Sequence, residues 1–287
     1  MVHISNPALE KQSDDHFHHL GITKSAIDIP QMYGDVKFIC MGGSTTRIKN
    51  YAEAFAKEVG IKMSDNLSTT DRYVMYKTGR VLWVNHGIGI PSLSIVIVEL
   101  IKLLYYAKAK DVVAIRLGTS GGVGVAPGTI VLSSGAVNGE LFDEFVQFIM
   151  GEKISRPAVF DAEVYQQLHK AAIQLKIPVQ IGKTFSTDDF YEGQARLDGA
   201  FCDYTEQQKF AFLNRLYNEG VRNIEMEAIC FAAMFNRGNI RAAAVCVTLL
   251  DRLKGDQVLL THNDINEFEM RIFKVVSTYI KQQLNLC

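Results

Sequence analysis

The sequence has no excess of either charge sign and no paired cysteine motif. Its 287 residues carry 30 Lys and Arg against 31 Asp and Glu, a net charge of −1. This balance gives no electrostatic reason to expect nucleic acid or an anionic membrane as a partner. Five scattered cysteines, none in a Cys-x-x-Cys pair, predict reduced thiols and a cytoplasmic location. They are Cys40, Cys202, Cys230, Cys246 and Cys287.

The chain also lacks the patterns of membrane, secreted and modular proteins. We find no signal-peptide core near the polar N-terminus and expect no apolar run of the roughly 18 residues that a bilayer requires. Repeats, low-complexity segments and linkers are absent, while 48% of the residues are hydrophobic. These features predict a polar leader over residues 1–15 and a single domain with a large core over residues 16–287.

A histidine-rich stretch, His16–Lys24, is the only segment that suggests a metal site. Its three histidines at 16, 18 and 19 fit no helical or zinc spacing, and no Cys or Glu lies within the stretch. We therefore predict a structural or surface role for this stretch, and no metal.

Short apolar runs alternate with amphipathic segments along the chain, which predicts an α/β fold. The expected architecture is a three-layer α/β/α sandwich around a central mixed, mostly parallel sheet. The predicted strands are Val36–Met41, Tyr73–Lys77, Arg80–Asn85, Val112–Leu117, Thr129–Ser133, Val179–Phe185, Val221–Met226 and 241–250. The predicted helices include Tyr51–Val59, Ser92–Ala107, Ala162–Leu175, Thr205–Tyr217 and Ile265–Leu284.

Two arginines follow or end predicted strands. Gly42–Lys49 reads GGSTTRIK between a strand and a helix, where free backbone N–H groups favour an anion, and it places Arg47 in the first helical turn. An ordinary capped helix would have the same pattern. Arg116 ends a buried strand, and a charge there is costly unless it is paired. Because ligands of open α/β sheets bind at the carboxyl ends of strands, Arg116 is the stronger candidate for an anion ligand.

Three other motifs have alternative interpretations. The sequence GTSGG after Arg116 matches the serine nucleophile elbow, but Gly-Val-Gly-Val-Ala-Pro-Gly follows it where a helix would be needed. His86–Ser92, HGIGIPS, lacks the third glycine of a dinucleotide fingerprint. Glu225 and Glu227 end a strand, and could be a glycosidase acid and base or could accept hydrogen bonds from sugar hydroxyls.

The stretch Phe190–Gly199, FYEGQARLDG, places Gln194 and Arg196 two residues apart. If the stretch is extended, both side chains point to the same side. An amide can accept from an N–H and donate to a carbonyl, whereas a guanidinium only donates. A pyrimidine imide, with its N–H between two carbonyls, matches that pair. Arg196 would also stabilise a base that leaves as an anion.

The polar residues at strand ends predict one convergent cleft with groups for an oxyanion, for hydroxyls and for a base. These residues are Arg47, Arg116, Thr119, Gln194, Arg196, Glu227 and Arg252.

From about His19 to the C-terminal helix, the chain resembles the uridine phosphorylases of the nucleoside phosphorylase-I family. The matching stretches are HLGITK, GGSTTR, TDRY, RLGTSGG, FYEGQARLDG, RNIEMEA and LLDRLKGDQ. The resemblance implies a nucleoside phosphorylase-like fold. It also implies reversible phosphorolysis of uridine to uracil and ribose 1-phosphate without a cofactor or metal, with phosphate as co-substrate.

The resemblance also implies a role for each matching residue and a homodimer, as in the animal branch of the family. Phosphate is assigned to Gly43, Arg47, Arg116 and Thr119, with Arg72 from the neighbouring subunit. Ribose is assigned to Met226 and Glu227, with His19 from the neighbour. The base is assigned to Phe190, Gln194 and Arg196, with Leu249 and Leu250 lining its pocket and Arg252 behind.

Two residues depart from the family's usual pattern: Asp251 stands where Asn is usual, and Ala228 where Ser is usual. Asp251 resembles the acid of purine phosphorylases and so raises the question of purine turnover, against which Gln194 and Arg196 argue. A phosphate-independent nucleoside hydrolase and a nucleoside-binding protein without turnover are the alternatives. The presence of Arg47, Arg72 and Arg116 favours the phosphorylase.

Overall fold

The computed structural model describes residues 1–286 and divides into two compact units. Met1–Ile115 and Met234–Ala242 form the first unit. The second unit contains Arg116–Ala233 and the described chain from Ala243 onward.

The first unit pairs a small sheet with three helices. Strand β3 is parallel to β5, and β4 is antiparallel to β5, while β1 and β2 form a separate antiparallel pair. The strands are β1 (His16–Phe17), β2 (Ile22–Thr23), β3 (Phe38–Gly42), β4 (Met75–Thr78) and β5 (Val81–Asn85). The helices are α1 (Ile29–Tyr33), α2 (Thr45–Val59) and α3 (Gly89–Tyr106).

Helix α2 begins earlier than the apolar pattern indicated. Ser44 caps it by accepting a hydrogen bond from the backbone N–H of Arg47 at 3.3 Å. The helix ends where Gly60 adopts a left-handed conformation with φ of 68°. The apolar pattern alone begins only at Tyr51, whereas the Ser44 cap puts Arg47 in the first turn, as the GGSTTRIK motif predicts.

Helix α3 is long and apolar enough to cross a bilayer by length and composition, with a mean hydropathy of 1.6 over its 18 residues. This corrects the expectation that no stretch reaches that length. A core helix passes the same test, and 50% of the window is buried inside the fold. The buried carboxylate of Glu99 on this helix binds the backbone of His19 and Leu20.

The second unit contains a ring of strands. Strand β10 is parallel to both β7 and β11, β12 is antiparallel to β7, and β6 pairs with β11 antiparallel. The order β11-β10-β7-β12-β6 therefore closes on itself. The strands are β6 (Val113–Gly122, which begins in the first unit), β7 (Ile130–Val137), β10 (Val179–Ser186), β11 (Val221–Glu225) and β12 (Arg241–Asp251, whose first residues belong to the first unit).

Helices and one hairpin complete the second unit. The hairpin is antiparallel and consists of β8 (Glu144–Ile149) and β9 (Glu152–Pro157). The helices are α4 (Ala162–Gln174), α5 (Glu206–Asn218), α6 (Ala228–Arg237, which ends in the first unit) and α7 (His262–Leu284). Leu213 and Leu216 of α5 bury against Phe185 and Ile224 of β10 and β11. Burial of this apolar area holds α5 on the sheet.

The predicted α/β class with a mixed sheet is confirmed. The closure of β6 onto β11 was not foreseen, because we ended the strand at Leu117. The strand continues to Gly122, since GTSGG is extended and pairs with Asn223 and Ile224. The four cysteines before Cys287 are free, in agreement with the expected thiols. Cys287 lies outside the described residues.

Candidate active site

Arg116 lies on β6 among buried carboxylates. Its Nη2 is 2.9 Å from Glu225 Oε2 and also contacts Glu227 Oε2, and its Nη1 donates to Cys246 Sγ at 3.3 Å. The Nε atom is buried and has no hydrogen-bond partner among residues 1–286. Burial alone would lower the pKa of Arg116, but the charges of Glu225 and Glu227 raise it above its usual value. The guanidinium is therefore charged and held in one place.

The glycines of GTSGG make room for two arginines. A Cβ at Gly118 would lie 1.9 Å from Arg116 Nη1, and a Cβ at Gly121 would lie 2.9 Å from Arg252 Cγ. Ser120, between them, sits inside the strand and accepts a hydrogen bond from Asn223 Nδ2 at 3.1 Å. No helix follows this serine, so it is not a nucleophile elbow, as the sequence indicated.

Glu225 and Glu227 have different partners. Glu225 ends β11 and caps α6, where its oxygens accept the N–H groups of Glu227 and Ala228 at 2.9–3.0 Å. Burial raises the pKa of Glu225 against the opposing charge of Arg116. Because its oxygens are bound by backbone and guanidinium, Glu225 is poorly placed as a glycosidase acid. Glu227 remains the candidate acceptor for hydroxyls, beside the half-buried Met226.

The segment with Gln194 and Arg196 is not extended. Glu192–Gln194 forms a 3₁₀ turn, and Ala195 is left-handed with φ of 53°, so the alternation argument does not apply. The two side chains are nevertheless buried together with Arg252. Arg252 Nη2 donates to the carbonyl oxygen of Gln194 at 2.7 Å, and its Nη1 is 3.4 Å from Gln194 Oε1. Gln194 Nε2 donates to Thr187 Oγ1 at 3.3 Å.

Arg196 is oriented by a carboxylate that the sequence reading missed. Its Nε and Nη2 donate to the two oxygens of Asp198 at 2.8 and 2.7 Å, and Nη2 also donates to the carbonyl oxygen of Asp256 at 2.8 Å. The guanidinium carbon lies 4.5 Å from the centre of the Phe190 ring, which is 45% exposed. The hydrogen bond from Arg196 lowers the pKa of Asp198.

Other predicted residues of the second unit lie on β6 and at the end of β12, and the continuation of β6 to Gly122 places Arg116 within the strand rather than at its predicted end. Thr119 follows Arg116 on β6, and Leu249 and Leu250 end β12; all three are half-buried. Arg252 follows directly and is fully buried. These positions put the predicted base residues and Arg116 in one unit.

Asp251 is held by partners of its own unit. Its Oδ1 accepts the backbone N–H of Gly124 at 3.0 Å and of Leu253 at 3.2 Å, and Lys254 Nζ lies 3.7 Å from Oδ2. These contacts give Asp251 a structural role at the end of β12. Ala228 is fully buried at the start of α6.

The first unit holds the remaining predicted phosphate residues. Gly43 follows β3, and Arg47 lies in the first turn of α2. Arg72 is 71% exposed in its side chain, and its nearest carboxylate is Asp71, 3.5 Å from Nε. In the first unit, Gly43 and Arg47 therefore lie at the start of α2, whereas Arg72 is exposed.

His19 is held by α3 in the first unit. Its Nδ1 is 2.9 Å from Glu99 Oε1, and its backbone N–H donates to the same carboxylate. Thr70, two residues before Arg72, donates its hydroxyl to the carbonyl oxygen of His19. The imidazole remains 41% exposed. No group of three or more His, Cys, Asp or Glu side chains that could hold a metal ion occurs among the described residues.

The family model of the phosphorylase superfamily matches residues 37–281. The chain belongs to this family. A protein from Caenorhabditis elegans named uridine and thymidine phosphorylase is 52% identical over 276 residues, covering 96% of this chain and 94% of the relative.

Two proteins of Schistosoma mansoni are also similar. The structure of its uridine phosphorylase in complex with thymidine has a TM-score of 0.96 and 40% identity, and covers 99% of both chains. An inactive uridine phosphorylase B is likewise 40% identical, over 97% of this chain and 96% of the relative. The similarity is thus to uridine phosphorylases, with and without activity.

Sequence reasoning missed the residues that support the site. Glu99, Asp198 and Asp256 contact the predicted site residues His19, Arg196 and Arg252, and Lys209 acts on the site only through its contact with Asp256. Only Asp198 could have been found, as the carboxylate two residues after Arg196.

Proposed function

We propose that this chain catalyses the reversible phosphorolysis of uridine to uracil and ribose 1-phosphate. A phosphate oxygen forms a bond to C1′ of the ribose as the bond from C1′ to N1 of the base breaks. The bonding electrons leave with uracil, which then takes a proton from water. The observation that carries this proposal is the buried Gln194–Arg196–Arg252 group in the same unit as the Arg116–Glu227 pair.

The base residues are suited to a departing imide anion. Gln194 and Arg196 offer one amide and one guanidinium, and Arg196 is already oriented by Asp198. Donors that are fixed before reaction stabilise developing charge without reorganising. Phe190 stacks on Arg196, and Leu249 and Leu250 provide apolar lining. Gln194 and Arg196 are therefore the proposed leaving-group residues.

For phosphate we propose Gly43, Arg47, Arg72, Arg116 and Thr119, and for ribose His19, Met226 and Glu227. The buried Arg116 Nε, without a partner among residues 1–286, supports an anionic ligand there. Glu227 accepts hydrogen bonds only, as recognition of sugar hydroxyls requires. Fixed phosphate and ribose convert a bimolecular attack into a positioned one.

We further propose a homodimer in which each subunit lends His19 and Arg72 to the other. Their side chains are 41% and 71% exposed, and Tyr73, beside them, donates its hydroxyl to the carbonyl oxygen of Ser92 on α3. Helix α3 also presents Ile95 and Val98, 37% and 43% exposed. Burial of these two apolar side chains against a second subunit would favour association.

The proposed enzyme needs no cofactor or metal, and its partners are the nucleoside, the base, phosphate and ribose 1-phosphate. Neither nucleic acid nor a membrane belongs to this proposal. The cytoplasmic location remains a prediction from the cysteine pattern.

Uracil release from uridine, measured with and without inorganic phosphate, tests the function. We expect release only with phosphate, together with ribose 1-phosphate detected by ³¹P NMR. Release at the same rate without phosphate would identify a hydrolase. Binding of uridine without release of uracil under either condition would identify a nucleoside-binding protein. The inactive relative makes this outcome a real alternative.

A further inference from the structure

Four buried charged side chains and the partly exposed Asp198 form a network beside Gln194. We call it the base network: Arg196, Asp198, Lys209, Arg252 and Asp256. The side chains of Lys209 and Arg252 are 2% and 1% exposed, that of Asp256 is 8% exposed and that of Asp198 is 26% exposed. Burying this many charges is costly, so their arrangement requires a reason beyond stability.

Asp256 joins three segments of the chain through four donors. Its Oδ2 accepts from Lys209 Nζ at 2.7 Å and from the backbone N–H of Leu197 at 2.9 Å, and its Oδ1 accepts from Arg252 Nε at 3.0 Å. Its carbonyl oxygen accepts from Arg196 Nη2 at 2.8 Å. Burial raises the pKa of Asp256, but the Leu197 N–H, Lys209 and Arg252 outweigh it and lower the pKa. One ionised residue therefore positions both arginines of the base site.

The charges of the base network do not cancel. It contains three cations, Arg196, Lys209 and Arg252, and two carboxylates, Asp198 and Asp256, which leaves a net charge of +1. Other carboxylates of the same loop, Asp189 and Glu192, are exposed to solvent. A buried excess cation is unfavourable unless an anion arrives. Lys209 is the one cation of the three that makes no contact with Gln194 or Phe190.

We infer that Lys209 and Asp256 are positioning residues of the base site, which act through Arg196 and Arg252. Asp256 fixes the two arginines around Gln194, and Lys209 supplies the excess positive charge that favours a base departing as an anion. This inference rests on the proposed function. It assigns a role in the reaction to α5, for which the sequence analysis predicted only a helix over Thr205–Tyr217.

The test compares two substrates that differ in the leaving group. Fluorine at C5 withdraws electron density, so 5-fluorouracil departs as a more stable anion and requires less stabilisation from the protein. A variant with weaker electrostatic stabilisation of the leaving group should therefore show a smaller fall in kcat on 5-fluorouridine than on uridine. A variant that is merely misfolded or mispacked should lose the same factor on both.

The variants are Lys209→Met, Asp256→Asn and the double variant. We expect Lys209→Met, whose network is neutral, to lower kcat on uridine by about 30-fold and on 5-fluorouridine by about fivefold or less. The double variant keeps a net charge of +1 from Arg196, Arg252 and Asp198. Its kcat ratio between the two substrates should return close to that of wild type, although both rates stay low because the arginines are less fixed. Asp256→Asn should raise KM on both substrates.

Arg215→Met is the matched control, because Arg215 lies on the same helix and forms an exposed pair with Glu219 at 2.9 Å. It should leave both rates and their ratio unchanged. All variants are compared by melting temperature. If Lys209→Met is unfolded, the kcat ratio of the double variant tests the inference instead. The double variant should fold, because it leaves no unpaired charge at positions 209 and 256.

Equal losses on both substrates in folded Lys209→Met, or a double variant with a ratio unlike wild type, would overturn the inference. Absence of phosphate-dependent uracil release in wild type would instead overturn the proposed function. The two failures are therefore distinguishable.

Discussion

Arg116 and Arg72 are both proposed phosphate ligands, yet they lie in opposite surroundings. The side chain of Arg116 is 4% exposed and contacts two carboxylates of its own unit. That of Arg72 is 71% exposed, and its ion-pair partner Asp71 is 89% exposed. The first arginine is fixed by contacts within one chain, whereas the second is exposed to solvent.

This difference indicates which parts of the proposed site are formed within a single chain. Arg116 and Arg196 each have carboxylate partners within the second unit. The pair of His19 and Arg72 in the first unit remains accessible. In the proposed dimer, the exposed pair of one subunit completes the buried cluster of the other.

The largest expected effect tests the buried side of this comparison through substrate choice. Cytidine carries an amino group and a bare N3 where uridine has a carbonyl and an N–H, so it cannot pair with Gln194 and Arg196 in the same way. Because unpaired buried polar groups are costly, kcat/KM for cytidine should be about 10⁴-fold below that for uridine. Comparable rates, or a preference for inosine, would contradict the assignment of the base residues.

Removal of Arg116 is expected to have the next largest effect. Arg116→Ala should lower kcat/KM by at least about 10³-fold, roughly 4 kcal/mol, because it removes a phosphate donor and leaves Glu225 and Glu227 without their counter-charge. The melting temperature should fall as well. Arg116→Lys keeps the positive charge but loses the bidentate guanidinium group. Its melting temperature should lie between those of Arg116→Ala and wild type. A kcat/KM within tenfold of wild type would show that the buried cluster is not part of the site.

Arg196→Ala sharpens the comparison within the buried region. It should cost roughly 3 kcal/mol, about a hundredfold, in the chemical step, because it removes a donor to the departing base. The loss should be seen in kcat as well as in KM, measured by steady-state kinetics with uridine. Near-normal turnover in the folded variant would exclude the leaving-group role.

The smallest effect concerns stability rather than rate. The hydrogen bond from Arg196 lowers the pKa of Asp198, so this carboxylate stabilises the fold above its unfolded pKa and loses that contribution as pH falls through its folded pKa. Asp198→Asn should therefore lower the free energy of unfolding by about 1 kcal/mol at pH 7. Urea denaturation should show this difference narrowing below about pH 4. A difference independent of pH would mean that the pair with Arg196 does not stabilise the fold.

Much of the buried region could be predicted from sequence, because burial leaves patterns. Alternating apolar runs predicted the α/β class, and a charge at the end of such a run marked Arg116. The continuation of β6 through GTSGG could not be predicted, since glycines usually indicate a turn and only the pairing with β11 holds them extended. The left-handed Ala195, which turns Gln194 and Arg196 inward, likewise has no local pattern.

The supporting residues could not be predicted for a different reason. Lys209 and Asp256 are 47 residues apart in sequence and meet only through the tertiary fold. Glu99 lies on an apolar helix, where a carboxylate could equally have faced solvent. Its partners are the imidazole of His19 and the backbone N–H groups of His19 and Leu20, which lie about 80 residues earlier in the sequence.

The shared site is tested most directly by mixing two inactive variants. Arg72→Ala and Arg116→Ala are each expected to be nearly inactive as homodimers. In a mixed dimer both defects fall on one cleft and the other is intact, so co-refolded equal amounts should recover about a quarter of wild-type activity. Subunit exchange is verified with two affinity tags. Exchange without recovery would contradict the shared site, as would a nearly normal Arg72→Ala homodimer.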